Sequence, residues 1–551
     1  MRKNHAHERD RVSGNGGSGT RDIIVGLDSG TSVVKAVAFT TDGEQLAVTA
    51  RPNVYGPSAV AGGVEQDMAR TWEDAAAVLR VLAEAVPDLA RRTMALAVTG
   101  QGDGTFLIDA DGRPVAPAFL WLDARAAAIT RETIARPDYA ERHYRVTGTS
   151  ALPCQQGMQL LWLERHAPHM LERATTAFHC KDWLYFNLTG VRATDPSEAT
   201  FTYGDYRSGR YSESLIEWHG LQRRRHLLPD IVDGVAETHR LTAAAAKATG
   251  LLEGTPVTLG YVDVVCTCLG GGLYEPSGRV GCTIVGSTGM HMKLCPDTGA
   301  VKLNDDLSGY TMVFPVPGMR VQMQSTLAAT LNIDWALDLV REAMAAVGVE
   351  KSRKDLIAGL DAQVLGAPPG RALYHPYISE AGERGPFFDA DARAQFTGLS
   401  SRVGFAGLMR TIFEGLALSA RDGFTAMGAV PPTIRLAGGS ARSAALRQIL
   451  AAALGAEVSV VGREESGAAG VAMMAAVALG HYPSMREATA VWVDPLLGAA
   501  EKPDARLIPL YDALFATYRD VRTAMPPVWA RLAEIRAGAD ALKFFPADVL
   551  G

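Results

Sequence analysis

Several kinds of sequence feature are scarce or missing in this chain, and their absence narrows its class. The 551 residues include six cysteines, none of them in a Cys-x-x-Cys pair. A disulfide framework is therefore not predicted, and reduced thiols indicate a cytoplasmic protein. No apolar run reaches the roughly 20 residues that a membrane-spanning helix needs. The formal net charge is only −6, so nothing indicates a nucleic acid or a membrane surface as partner.

The common signatures of nucleotide and metal sites are missing as well. There is no GxxxxGK[ST] segment, which excludes the P-loop class. A GxGxxG match at 14–19 has no strand before it and lies in a polar segment, residues 1–20, that we predict to be a disordered tail. The twelve histidines show no HExxH spacing, so no structural metal is predicted.

The chain does contain a regular mixture of strand and helix patterns, over a length that exceeds one hydrophobic core. Residues 23–27 and 33–39 are strand-like runs on either side of a short polar turn. Residues 67–85 have the apolar spacing of an amphipathic helix, and 94–99 is a buried strand that ends in the glycine-rich segment GQGDG. This mixture indicates an α/β fold.

The second half of the chain repeats the theme of the first. It has a strand at 256–261, a strand–turn–strand at 280–294, and a strand, glycine turn and helix at 433–454. Two α/β halves that each begin with a hairpin and a small polar turn predict a duplicated fold with a cleft between the halves. We place the boundary so that an N-terminal lobe covers 21–254 and a C-terminal lobe covers 255–551.

Two polar turns have the composition of a phosphate-binding loop. They are Asp-Ser-Gly-Thr-Ser at 28–32 and Gly-Ser-Thr-Gly at 286–289. Backbone N–H groups of such a turn converge on an anion, and the hydroxyls add donors. Asp28 suits a partly hydrated Mg²⁺ ion, and Lys35 adds a cation. One turn alone is equally well an ordinary hairpin, but two at equivalent points favour a pair that binds a triphosphate.

Two further positions are candidates for chemistry on a small substrate. Asp263 follows a strand and has apolar neighbours, which raise the pKa of a carboxylate and suit a general base. A helix N-cap is the alternative role, and on composition alone it is favoured. Gln101 and Asp103 lie in the glycine-rich loop, where an amide and a carboxylate can bind hydroxyls; a plain turn is the alternative.

From about residue 22 to the C-terminal helices, the ordered set of segments resembles the FGGY carbohydrate kinases. The resemblance is carried by LDSGTSVVKAVAF (27–39), GQGDGTFLIDADGRPVAPAFLWLDARA (100–126), TDPSEAT (194–200), GYVD (260–263), GSTG (286–289), HPYISEAGERGPFFDADARAQFTGLS (375–400), IFEGLALSARD (412–422) and LAGGSARS (436–443). It implies two actin/hexokinase-like, ribonuclease H-like lobes with an interlobe cleft. It also implies ATP, Mg²⁺ and phosphoryl transfer to a terminal hydroxyl of a small polyol or sugar.

The resemblance also implies roles for individual residues. Asp28 would hold the Mg²⁺ ion, and Asp263 would be the general base, in contact with the attacking hydroxyl. The positions implied in binding phosphates and adenosine are Gly30, Thr31, Ser32, Lys35, Gly286, Ser287, Thr288, Gly438, Gly439 and Ser443. The positions implied in substrate binding are Gln101, Asp103, Cys154, Gln155, Gln156 and Asp263.

The substrate expected from the resemblance is erythritol, which would give erythritol 4-phosphate. The run HCKDWLYFNLTGVRATDPSEATFTYGD (179–205) resembles kinases of that polyol, although the GQGDG loop is shared with L-xylulose-type kinases. A kinase of L-xylulose, D-xylulose, glycerol or another polyol is the alternative. An actin-like ATPase without a sugar substrate is a second alternative, which the combination of Gln101, Asp103 and Asp263 disfavours. A homodimer is one possible assembly.

Overall fold

The computed structural model describes residues 21–541. The tail predicted at 1–20 lies outside the described residues. Within 21–541, no helix combines the length and the apolar character that crossing a bilayer requires. Two six-stranded sheets dominate the architecture, one built from each half of the chain.

The first half carries the elements of the first sheet and its covering helices. Its strands are β1 (Ile23–Ser29), β2 (Val33–Thr40), β3 (Gln45–Pro52), β4 (Tyr55–Pro57), β5 (Val64–Gln66), β6 (Thr93–Gly100), β7 (Phe106–Ile108), β8 (Ala118–Phe119), β9 (Thr176–Phe178), β10 (Ala193–Thr194), β11 (Gly204–Asp205), β12 (Arg210–Tyr211), β13 (Asp230–Ile231), β14 (His239–Arg240) and β15 (Pro256–Leu259). Its helices are α1 (Met68–Ala85), α2 (Leu89–Arg92), α3 (Ala127–Ile134), α4 (Arg145–Thr147), α5 (Gln156–His166), α6 (Pro168–Arg173), α7 (Cys180–Thr189), α8 (Pro196–Tyr203), α9 (Glu213–Trp218) and α10 (Ala243–Thr249).

The second half carries the elements of the second sheet. Its strands are β16 (Val280–Val285), β17 (Gly289–Cys295), β18 (Tyr310–Val313), β19 (Arg320–Thr326), β20 (Leu373–His375), β21 (Gln395–Thr397), β22 (Thr433–Ala437) and β23 (Glu457–Val460). Its helices are α11 (Asp263–Gly270), α12 (Thr330–Ala345), α13 (Arg353–Ile357), α14 (Leu360–Gly366), α15 (Phe405–Ala426), α16 (Ala444–Leu454), α17 (Ser466–Ala478), α18 (Met485–Trp492), α19 (Ile508–Ala524) and α20 (Pro526–Ala541).

The two sheets repeat one pairing pattern. In the first, β1 pairs antiparallel with β2 and parallel with β6, β2 pairs antiparallel with β3, and β6 pairs parallel with β15. In the second sheet, β16 pairs antiparallel with β17 and parallel with β22, β17 pairs antiparallel with β19, and β22 pairs parallel with β23. The duplicated α/β fold predicted from the sequence is therefore confirmed.

The boundary predicted between residues 254 and 255 stays a prediction. Strand β15 begins just after it and pairs in parallel with β6, so this strand is part of the first sheet. The chain passes from β15 directly into α11, whose first residue is Asp263. The segment that joins the two halves therefore carries the candidate base.

Helices α11 and α17 lie side by side between the two sheets and share one core with both. Cys268 of α11 contacts Met292 of the second sheet, and Ala468 of α17 packs on the first. The two helices approach through glycine, because a side chain at Gly470 would overlap the carbonyl oxygen of Cys266. A Cβ atom at Gly26 of β1 would lie 2.5 Å from the carbonyl oxygen of Ala468. Glycine is required where backbones come this close.

We predict that Gly470→Ala lowers the free energy of unfolding by about 1–3 kcal/mol, since the added methyl group forces the two helices apart. The matched control is Gly366→Ala in α14, where an added Cβ meets nothing within 4 Å. Urea unfolding followed by circular dichroism measures both. Equal stability of the Gly470→Ala variant and the wild-type protein would contradict the close-packed crossing.

Candidate active site

A cavity of about 290 Å³ lies between the lobes, next to the start of α11. Six of the predicted site residues line it, and they come from both halves of the chain: Thr31, Gln101, Asp103, Cys154, Asp263 and Thr288. Apolar side chains, among them Phe201, Met290 and Met312, form part of the wall. The arrangement combines hydrogen-bonding groups with a partly water-excluding surface, which is the usual composition of a small-molecule site.

Asp28 is the half-buried, penultimate residue of β1, close enough to Asp263 of the cavity wall for their charges to interact. One of its carboxylate oxygens, Oδ1, is buried and has no hydrogen-bond partner. Burial raises the pKa of Asp28 to about 6, although nearby Lys35 acts in the opposite direction. The Lys35 ammonium group is already bound by the Glu465 carboxylate at 2.8 Å. Lys35 thus links β2 to the segment that precedes α17, so it is not free as the predicted phosphate ligand unless this ion pair opens.

The first polar turn is held from outside by two side chains. The indole N–H of Trp121 donates to the Thr31 hydroxyl at 2.6 Å, and the Asn53 amide donates to the carbonyl oxygen of Gly30 at 2.5 Å. Within the described chain, the N–H groups of residues 30–32 make no hydrogen bond. Ser32 is exposed. The turn therefore presents free donors, as an anion-binding loop requires.

The second polar turn joins β16 to β17 and is fixed through its carbonyl groups. The Gly286 oxygen accepts from the Thr330 N–H at 2.9 Å, and the Ser287 oxygen accepts from the Ala329 N–H at 2.7 Å. The side chains of Ser287 and Thr288 are exposed. This turn thus leaves hydroxyl donors at the mouth of the cleft.

The glycine turn after β22 lies against the end of β16. Gly438 has a φ of +94°, and a Cβ there would lie 2.7 Å from the Val285 carbonyl oxygen, so only glycine fits. Gly439 has open space around it. The Ser443 hydroxyl caps α16 by accepting from the Leu446 N–H, and it donates to Asp361 at 2.6 Å. Its hydrogen-bonding capacity is therefore used within the protein.

Asp263 is the first residue of α11, and the N-cap position belongs to Val262. The N-cap role that composition favoured for Asp263 is therefore wrong, because the helix begins one residue earlier than that role requires. The carboxylate accepts from the Val264 N–H at 2.6 Å. Burial raises the pKa of Asp263 to about 8, and the negative charge of Asp28 adds to the shift. The group therefore titrates near neutral pH, as a general base does best.

The glycine-rich loop supplies the polar end of the cavity. The Gln101 amide donates to the Gln66 side chain at 3.1 Å, and its own oxygen has no partner. Asp103 has a φ of +56°, accepts from the Cys154 thiol at 3.4 Å, and keeps one buried oxygen without a partner. Burial raises the pKa of Asp103 to about 7. The unpartnered oxygens are suited to hydroxyl donors.

Two of the predicted substrate residues do not line the cavity. The Gln155 side chain accepts from the Leu152 N–H and donates to the Ser150 oxygen, both at 3.0 Å. The Gln156 amide donates to the Phe178 oxygen at 2.9 Å. The Gln155 amide therefore fixes the turn before α5, and the Gln156 amide ties the start of α5 to the end of β9.

The similarity of this chain to known carbohydrate kinases extends over most of its length. Residues 23–270 match the N-terminal domain and residues 291–479 match the C-terminal domain of the FGGY family of carbohydrate kinases. The chain is 51% identical to the erythritol kinase of Brucella abortus (strain 2308), over 93% of this chain and 98% of that protein. The chain belongs to the FGGY family of carbohydrate kinases.

More distant members have the same architecture. The L-xylulose/3-keto-L-gulonate kinase of Escherichia coli (strain K12) is 26% identical over 93% of this chain and 98% of that protein. The solved structure of xylulose kinase from Rhodospirillum rubrum superimposes with a TM-score of 0.82 at 25% identity, covering 92% of this chain and all of that one. Family membership implies ATP as the phosphoryl donor and a small polyol or sugar as the acceptor.

The structure of this FGGY kinase also shows residues that sequence reasoning missed. Trp121 and Arg384 line the cavity, and Glu465 binds Lys35. Each lies far in sequence from the residues it meets. The segments around Trp121 (100–126) and Arg384 (375–400) carried a signal, because both belong to stretches that resemble the family, whereas Glu465 lies outside those stretches.

A buried ion network supports the residue before the candidate base. Lys181 lies 2.5 Å from the Asp195 carboxylate, and both side chains are fully buried. The Asp195 carboxylate accepts from the Ser197 hydroxyl, which in turn accepts from the Val262 N–H at 3.1 Å. Because Lys181, Asp195 and Ser197 form a continuous series of contacts that ends at the Val262 N–H, the network holds the start of α11 in place.

We predict that Lys181→Met lowers the free energy of unfolding by about 3–5 kcal/mol, since it leaves buried carboxylates without their cation. Lys247→Met is the control, because Lys247 is exposed on α10. Thermal and urea unfolding at pH 7 measure the difference. A Lys181→Met variant as stable as the control would show that the network does not support the fold.

Proposed function

We propose that this kinase transfers the terminal phosphoryl group of ATP to erythritol and forms erythritol 4-phosphate. The cavity between the lobes carries the proposal, since Asp263, the polyol-binding candidates Gln101 and Asp103, and the turns at Thr31 and Thr288 all border it. The 51% identity to an erythritol kinase over 93% of the chain supports erythritol as the polyol. An actin-like ATPase has no use for unpartnered acceptors in such a cavity.

In the proposed reaction, Asp263 accepts the proton of the attacking hydroxyl as the oxygen–phosphorus bond forms. An alcohol is too weak an acid to ionise unaided, and a carboxylate with a pKa of about 8 retains enough basicity to assist. Phosphoryl transfer depends mainly on positioning and on stabilising charge. The free N–H groups of residues 30–32 and the hydroxyls of residues 287–288 are the proposed donors to the phosphates.

Asp28 is the proposed ligand of Mg²⁺. Its buried, unpartnered oxygen fits a cation, and Mg²⁺ in kinases is held by one or two carboxylates together with phosphates and water. Within residues 21–541, no group of three or more His, Cys, Asp or Glu side chains forms a complete metal site, which agrees with a cation held largely by the nucleotide. When bound, Mg²⁺ neutralises charge on the phosphates.

The cytoplasm is the proposed location of the reaction. All six cysteines are buried free thiols, Cys268 and Met292 being in contact through their sulfur atoms. Such thiols persist in a reducing compartment. ATP is available there as well.

The substrate proposal predicts the highest kcat/KM for erythritol in a panel with glycerol, xylitol, D-xylulose and L-xylulose. The cavity of about 290 Å³ carries fixed acceptors for polyol hydroxyls at Gln101 and Asp103. ADP release coupled to NADH oxidation measures each rate, and product analysis identifies erythritol 4-phosphate. If a pentulose gave a higher kcat/KM than erythritol, the substrate proposal would be wrong, whereas the assignment as a carbohydrate kinase would stand.

The base proposal predicts that Asp263→Asn abolishes phosphorylation and leaves MgATP binding nearly unchanged. In the wild-type enzyme, kcat/KM for erythritol rises with pH through a pKa of about 8, because the carboxylate must be deprotonated. Initial rates and calorimetric MgATP titration test both points. Turnover near the wild-type value in Asp263→Asn would exclude the assignment.

A further inference from the structure

Arg384 faces the cavity from the second lobe, opposite the glycine-rich loop of the first. It lies in the long connection between β20 and β21, next to the fully buried Glu383. One Glu383 oxygen accepts from the Leu327 N–H and from the Arg384 N–H, both at 2.9 Å. The backbone at Arg384 is thereby fixed, while its side chain extends to the cavity wall.

The guanidinium group is not fully used by the protein. Its Nε atom is buried and has no hydrogen-bond partner. Asp103 and Gln101, on the other wall of the cavity, each keep a buried oxygen without a partner. Arg384 and Asp103 interact electrostatically, yet no ion pair or hydrogen bond joins them. A donor from one lobe and acceptors from the other thus face one space, and burial of unpaired groups is costly.

A hydroxyl group fits between such partners, because it donates one hydrogen bond and accepts others. We propose that Arg384 is a specificity-determining residue that donates to a polyol hydroxyl, while Asp103 accepts from the same hydroxyl group or its neighbour. The hydroxyl concerned is not the one that Asp263 deprotonates, since that one must give up its proton. This inference rests on the proposed polyol kinase function and adds a residue to it.

The proposed polyol contact links the two lobes. Asp103 belongs to the first lobe and Arg384 to the second, so a polyol that binds both side chains connects them. A substrate without the matching hydroxyl leaves the guanidinium and carboxylate unpaired. A site built to bind a hydroxyl discriminates strongly against analogues that lack it.

The test compares Arg384→Met and Arg384→Lys with Arg402→Met, an exposed arginine beyond β21. We expect Arg384→Met to raise KM for erythritol at least about tenfold, as loss of a hydrogen bond from a charged donor does. KM for ATP should change less than twofold. Arg384→Lys keeps the positive charge but not the Nε donor, so its KM for erythritol should lie between those of the wild-type enzyme and Arg384→Met. Calorimetric titration with erythritol in the absence of nucleotide measures binding separately from turnover.

A substrate arm keeps the test independent of protein stability. In the wild-type enzyme, at least one monodeoxy analogue of erythritol should lose about tenfold in kcat/KM. This loss in kcat/KM should be smaller in Arg384→Met. The double variant Asp103→Asn/Arg384→Met should lose less kcat/KM for erythritol than the product of the losses in the two single variants.

Either of two results would overturn the role of Arg384. One is a KM for the polyol within twofold of wild type in both Arg384 variants; the other is equal losses for polyol and ATP. The measurements use the panel polyol that the wild-type enzyme phosphorylates best. A best substrate other than erythritol would therefore correct the proposed function, and the role of Arg384 would be tested with that substrate.

Discussion

The close crossing of α11 and α17 between the two sheets is the constraint on which the site depends. Because glycines at 26 and 470 let the backbones meet, α11 starts beside the end of β1. Asp28 and Asp263 therefore lie close enough for the charge of one to raise the pKa of the other. Glu465, which precedes α17, reaches Lys35 across the same junction. One packing arrangement thus brings together groups from three distant parts of the chain: the β1–β2 hairpin, the start of α11 and the segment before α17.

The site also concentrates groups that the folded protein alone does not satisfy. Asp28, Asp103 and Asp263 all have raised pKa values, mainly because burial disfavours their charged forms. Unpaired oxygens of Asp28 and Asp103 add to this cost. Such an arrangement is unfavourable for stability and favourable for binding, since a cation or a hydroxyl donor relieves it. The buried Lys181 network supplies the rigid support.

Much of the fold could be predicted because its signals are local. Apolar alternation and small polar turns identified the hairpins of β1–β2 and β16–β17, and Asp67 and Ser443 cap the helices expected after them. At Asp263 the residues alone favoured a helix N-cap over a general base, which the family resemblance then implied; the structure places this residue in the wall of the cavity. Arg384 and Trp121 could not be found from spacing, because their partners lie on other segments. The amides of Gln155 and Gln156 had the right chemistry, but the backbone around them uses it.

The most direct measurement is a crystal structure of the enzyme with erythritol and a non-hydrolysable ATP analogue. We expect a terminal hydroxyl within about 2.6–3.2 Å of the Asp263 carboxylate, with the terminal phosphate between residues 30–32 and 286–288. A polyol bound outside the cavity that Asp103 and Asp263 share, or a nucleotide whose phosphates contact neither turn, would contradict a single catalytic cleft between the lobes.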